Sequence, residues 1–162
     1  MVSREPMKKH KDHGIGHRTS SSPPRKKNLC FGCGRDNPAG MRLKFALDET
    51  AKQFVCRFRL GKRYTGPPGY CHGGVIATIL DEAMAKMNRL FDAPAPTSRM
   101  TVEYLRPVPL NRALEVRSKN VSKRGRRLTH SAEIRDEKGT VLARSRGVFV
   151  IIGHKHVFRS AR

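Results

Sequence analysis

The chain has 162 residues and a formal net charge of +21, with 37% hydrophobic residues, 6% aromatic residues and no Trp. That length suits one domain with a real core, while the low apolar content argues that part of the chain does not pack. No run is long enough to span a bilayer and no apolar stretch has the form of a secretory signal, so a cytoplasmic protein without a membrane partner is expected.

Residues 1–29, ending "TSSSPPRKKNL", combine Ser, Pro, His and basic clusters with few apolar residues. They read as a disordered basic tail. His10, His13 and His17 are irregularly spaced and read as linker. The remainder carries +15 of the charge, because the tail holds eight Lys/Arg and two Asp/Glu. A basic folded part attracts polyanions: nucleic acid, an anionic surface or a phosphorylated ligand. The domain is expected over 30–152, with 153–162 as a frayed tail.

"CFGCGRDNPAG" opens the domain as loop. "MRLKFAL" then alternates Met41, Leu43, Phe45 and Leu47, a strand pattern. "QFVCRFRL" alternates again, with Phe54, Cys56, Phe58 and Leu60 on one face. "YTGPPGYCHGG" is Gly/Pro loop, and a helix follows from about Gly73 to Phe91, ended by "DAPAPTS". Four further strand patterns come next: "RMTVEYL", "ALEVRSKNV", "RLTHSAEIRD" and "TVLARSRGVFVII". The turn "DEKG" and the basic loop Lys123, Arg124, Gly125, Arg126, Arg127 lie among them. Consecutive strands with short turns argue an antiparallel sheet, and one helix covers such a sheet only by lying across a face. The class is α+β, a curved antiparallel sheet wrapped around one long central helix.

On that helix Ile76, Ile79, Leu80, Ala83, Met84, Met87, Leu90 and Phe91 form an apolar stripe. Glu82 lies off the stripe with Lys86 at i+4, an ordinary exposed ion-pair ladder. Asp81 falls on a flank of small and polar residues, Ala77, Thr78, Ala85 and Asn88, with no basic residue at i±3 or i±4. Gly73 and Gly74 are expected to leave backbone N–H groups uncovered at the positive end of the helix, where they suit an anion or a polarised carbonyl. Gly73 and Asp81 are about 11–12 Å apart along the axis. One substrate carbon cannot touch both, so a two-fold dimer with antiparallel helices is expected to join one chain's Asp81 to the other's helix start.

"CFGCGRDNPAGMRLKF", "YTGPPGYCHGGVIATILDEAM" and "YLRPVPL" together resemble the PaaI-like hotdog thioesterases, including relatives with a CFGCG element. The resemblance covers roughly residues 29–152 and is most specific in His-Gly-Gly-x6-Asp. It implies a hotdog fold, homodimers or homotetramers, and hydrolysis of acyl-CoA thioesters at a subunit interface. By position it implies Asp81 as catalytic acid, Gly73 and Gly74 as the start that polarises the thioester carbonyl, and Thr97 as a residue that helps place water. Some branches carry an amide side chain six residues before the His. Gly66 stands there, so His72 or backbone must do more. Arg106 and Lys123–Arg127 fall where relatives bind the CoA phosphates and nucleotide. Whether Asp81 acts as general base or nucleophile is open at this level.

Cys30 and Cys33 form a C-x2-C, half of a zinc site. No second pair follows at finger spacing, and Cys71 with His72 is the one conceivable completion, so no metal and no cofactor are expected. Cys30, Cys33, Cys56 and Cys71 have no secretory context and are read as reduced thiols. The alternatives to the enzyme are a hotdog that binds acyl-CoA without turnover and a basic nucleic-acid-binding module. Nucleic acid is disfavoured because residues 1–29 are too short and too polar for a helix-turn-helix.

Overall fold

The computed structural model describes residues 25–153. Residues 1–24, with most of the expected tail and its three histidines, and residues 154–162 lie outside the described part. Two strands precede the helix and four follow it: β1 (Ala46–Asp48), β2 (Gln53–Phe58), α1 (Gly73–Lys86), β3 (Thr97–Tyr104), β4 (Leu114–Arg124), β5 (Arg127–Asp136) and β6 (Val141–Val150). All strands join one antiparallel sheet in the order β1-β2-β4-β5-β6-β3. The helix crosses its inner face, contacting β4, β5 and β6 most. This is the hotdog arrangement.

Strand alternation builds the core. Leu114, Val116 and Ser118 of β4, Leu128, His130, Ala132 and Ile134 of β5, and Ala143, Ser145 and Phe149 of β6 are buried beneath the helix. From α1 they meet Ile76, Ile79, Leu80, Ala83 and Met84, none more than 4% exposed. At roughly 1.5–3 kcal/mol for each large apolar side chain buried, this layer is the main source of stability.

Local expectations shift in two places. The alternation from Met41 supports a full strand, yet only Ala46–Asp48 pairs in the ladder. Arg42 takes a φ of 55°, and the Met41 and Leu43 amides donate to the carbonyls of Phe31 and Gly32 at 2.8 and 2.9 Å. Leu43 is buried all the same, so the apolar period reports burial here rather than sheet pairing. The helix, expected to run to Phe91, tightens into a 3-10 helix over Met87–Phe91. With about three residues per turn, Leu90 rotates off the apolar stripe to 39% exposure. Asn88 rotates inward and is buried.

The sheet has unequal edges. β1 is three residues long and β3 is eight. β3 pairs with β6 on one side, and its other side pairs with no strand among the described residues. A long free edge invites pairing with another chain.

Candidate active site

The helix start is built by a capping histidine. His72 is extended, with ψ at 137°, and its Nδ1 accepts the Gly74 N–H at 3.0 Å. Its carbonyl accepts the Val75 N–H at 3.0 Å. The sequence reading expected both glycine amides to be uncovered. The Gly74 amide is covered by the cap, because the side chain of the residue immediately before the helix reaches the second orphan donor. The Gly73 amide donates to no partner among the described residues. With Nδ1 accepting, the imidazole hydrogen sits on Nε2. The Tyr104 hydroxyl donates to the Gly73 carbonyl at 3.1 Å, tying β3 to the helix start. Nothing local in the sequence marks Tyr104 as a site residue.

Gly66 has a steric reason to lack a side chain. A Cβ there would lie 2.7 Å from the Cα of His72. An amide side chain at this position cannot enter without displacing the loop that carries His72. Gly66→Asn is therefore expected to lower the melting temperature, by several degrees for each kcal/mol lost, as calorimetry would show.

Asp81 lies two turns into α1, half-buried. No ion pair reaches it among the described residues. The Thr97 hydroxyl, at the start of edge strand β3, donates to its Oδ1 at 2.7 Å. The carboxylate is thus held in one orientation at the free edge of the sheet and keeps its second oxygen for other partners.

Glu82 is not the exposed ladder residue the helical wheel suggests. Its side chain is 14% exposed, and Lys86, its partner at 2.7 Å, is 16% exposed. The Cys30–Cys33 loop covers both. Cys30 Sγ donates to Glu82 Oε2 at 3.4 Å, and Lys86 Nζ donates to Cys33 Sγ at 2.8 Å. Burial and the neighbouring carboxylate push the Cys33 thiol up to about 11. Burial opposes the charge on Glu82, yet the Cys33 thiol and the Lys86 ammonium hold its carboxyl below the usual range.

A second polar pair lies in the core. His130 is fully buried, and its Nε2 meets Asn88 Oδ1 at 3.0 Å. The Asn88 amide donates to the Ala95 carbonyl at 2.8 Å.

The basic residues separate into three groups. Lys123–Arg127 form the tip of the β4–β5 hairpin, where Gly125 adopts a φ of 56°. Lys123 Nζ sits 5.4 Å from the centroid of the Phe91 ring, at the far end of the helix. Arg106 lies at the other end, with its backbone N–H on the Leu142 carbonyl and its guanidinium on the Val141 carbonyl. Val141 begins β6, whereas Arg127 of the hairpin pairs with Val150 at its end. Along β6 that separation is about 30 Å. The two groups expected to share one nucleotide are not brought together within a chain. A third group covers the outer face of the sheet. Arg99, Arg117, Lys119 and Arg146 help to line a cleft of about 720 Å³ there, and Asp81 is not part of its lining.

Comparison with known proteins matches this architecture. Residues 68–143 match the family model described as Thioesterase superfamily. A solved thioesterase superfamily protein superposes with a TM-score of 0.67 at 30% identity, covering 71% of this chain and 56% of that one. The Escherichia coli PaaI protein of the phenylacetic acid degradation operon superposes with a TM-score of 0.59 at 22% identity, covering 62% of this chain and 73% of that one. Residues 68–143 are thus similar to the thioesterase superfamily, and the sheet wrapped on one helix is the hotdog fold. Among curated relatives, the acyl-coenzyme A thioesterase THEM4 of Xenopus laevis is 32% identical over 95 residues, 59% of this chain and 43% of the relative. The chain thus spans less than half the length of that protein. Among the described residues, no helix is long and apolar enough to cross a membrane.

Proposed function

We propose that the protein hydrolyses acyl-CoA or aryl-CoA thioesters to the free acid and CoA. The observation that carries this reading is Asp81: a half-buried carboxylate without an ion pair among the described residues, oriented by Thr97 at an open sheet edge. A relative whose name states acyl-coenzyme A thioesterase activity supports the substrate class. Asp81 activates a water for attack on the thioester carbonyl, or attacks the carbonyl itself. Oxyanion donors come from the helix start. The Gly73 amide and the Nε2–H of His72 are the candidates, and the Gly74 amide joins them only if the His72 ring turns away. The leaving thiolate needs no strong general acid.

Within one chain Asp81 is two turns from those donors, so the site requires a second copy. Antiparallel pairing along the free β3 edges would set Asp81 of one subunit near the helix start of the other. The same two-fold brings the hairpin of one subunit toward Arg106 of the other, which reconciles the two basic groups with one CoA.

The first test is release of free CoA across acyl chain lengths and aryl-CoAs. Absence of turnover with all of them, together with measurable CoA-ester binding, favours the non-catalytic reading. The shared site is tested by mixing Asp81→Asn with Gly74→Val, a side chain that would crowd the His72 ring. Each homodimer is expected to be nearly inactive. After random subunit exchange, activity should return to about a quarter of wild type, because half the dimers each regain one of two sites. A monomer by sedimentation with full activity would rule out sharing.

The hairpin has its own test. Replacing Arg124, Arg126 and Arg127 by Ala should raise KM for CoA esters by at least about tenfold, the equivalent of one charge-assisted contact. Turnover of a truncated thioester without the nucleotide should change much less. Unchanged KM with a salt-dependent loss of RNA or DNA affinity would assign the cations to nucleic acid instead.

A further inference from the structure

Two thiols and one carboxylate converge beside the catalytic helix without a part in the proposed hydrolysis. We propose that Cys30, Cys33 and Glu82 form a metal site for a zinc-class divalent ion, with the fourth position open to water at the Cys30 side. The donor atoms of the three residues lie within 4.8 Å of one another. A tetrahedral zinc ion holds sulfur ligands at about 2.3 Å and therefore about 3.8 Å apart, so a small contraction of the loop closes the shell. Two sulfurs and one carboxylate suit zinc and related borderline ions, and thiolates exclude magnesium and calcium as the preferred occupant.

The local backbone is shaped for this approach. The Gly34 N–H donates to the Cys30 carbonyl at 2.9 Å and closes the C-x2-C turn, which places both sulfurs on one side. Gly32 lies between them, and a Cβ there would sit 2.6 Å from Glu82 Oε2. A side chain there would have to push the Glu82 carboxylate aside. Lys86 already puts a cation on these acceptors, 2.8 Å from Cys33 Sγ and 2.7 Å from Glu82 Oε1. Charge balances in both forms. With thiols, Glu82 is matched by Lys86 alone. With metal, two thiolates and the carboxylate give −3, the ion +2 and Lys86 +1. Binding breaks two S–H bonds, forms two metal–sulfur bonds and releases two protons. Cys30 is exposed and supplies the entry path. A bound ion would fasten the loop to the helix turn that also carries Asp81, independently of whether Asp81 is catalytic.

The test uses the full chain, reduced and metal-free, titrated with Co(II) in oxygen-free buffer. The expected result is saturation at about one equivalent per chain, with near-ultraviolet thiolate-to-cobalt charge transfer and tetrahedral visible bands that Zn(II) abolishes. Glu82→Gln, which keeps both thiols, should weaken Co(II) by at least about tenfold. Cys30→Ser with Cys33→Ser should remove the charge-transfer band. Absence of the band in folded reduced protein would overturn the site. So would its persistence in the double serine variant, which would move the binding to other cysteines, or an unchanged affinity in Glu82→Gln. Co(II) bound without the band would assign the metal to histidines and count equally against it.

Discussion

Asp81→Asn is expected to lower kcat for a CoA thioester by about two orders of magnitude or more, while the protein stays folded and keeps its oligomeric state. An amide neither accepts the proton of an attacking water nor attacks the carbonyl. A hundredfold loss corresponds to about 2.7 kcal/mol of transition-state stabilisation. The substitution preserves shape: an Asn amide oxygen can still accept the Thr97 hydroxyl that now meets Asp81 at 2.7 Å. KM should change little, because the role proposed for the carboxylate is at the reacting carbon and not at the nucleotide. Thr97→Val should be milder, about tenfold, since it frees the carboxylate to rotate without removing it. The two effects should be less than additive when combined, because Thr97 acts through Asp81. Turnover of folded Asp81→Asn equal to wild type would remove Asp81 from the mechanism.

The second large effect is on stability and depends on pH. His130 is fully buried, and burial pushes its pKa down to about 4 from 6.5. Its Nε2 hydrogen is directed at Asn88 Oδ1, because the Asn88 amide nitrogen is already donating to Ala95. Its Nδ1 is buried with no hydrogen-bond partner among the described residues, so a proton added there would meet no acceptor among them. A histidine with a depressed folded pKa binds its proton more readily when unfolded. Its contribution is therefore complete above about pH 6.5 and is lost as pH falls toward 4. The loss across that window is about 3 kcal/mol. Urea unfolding at pH 7.5 and at pH 4.5 should show it as a lower midpoint with an unchanged slope. His130→Gln retains a donor for Asn88 and has nothing to titrate, so its stability should be nearly flat across the window. Identical pH dependence in the variant and wild type would mean that other groups, such as the carboxyls of Asp36 and Glu82, are responsible.

The order of two strands, one helix and four strands follows from local periodicity alone, because alternation and the 3.6-residue repeat are properties of neighbouring residues. The same holds for the inward face of α1 through Met84, and for Asp81 as a carboxylate without a helical partner. The pairing of Thr97 with Asp81 came within reach through the family resemblance, since nothing in local spacing links a helix to an edge strand. Other features required the tertiary structure. Glu82 looked solvated because a helical wheel cannot include a loop 52 residues away that covers it. Asn88 looked like a flank residue because the wheel assumes 100° per residue, and the 3-10 turn that carries it to His130 has a different step. The Gly74 amide looked free because the rotamer of His72, not its identity, decides the cap. Arg106 and the 123–127 hairpin looked like one binding surface because sequence carries no sign of which end of a strand a loop occupies. Sequence alone determined the elements and singled out Asp81 as the candidate acid. Contacts between residues far apart in the chain decided which polar groups are covered and which are held.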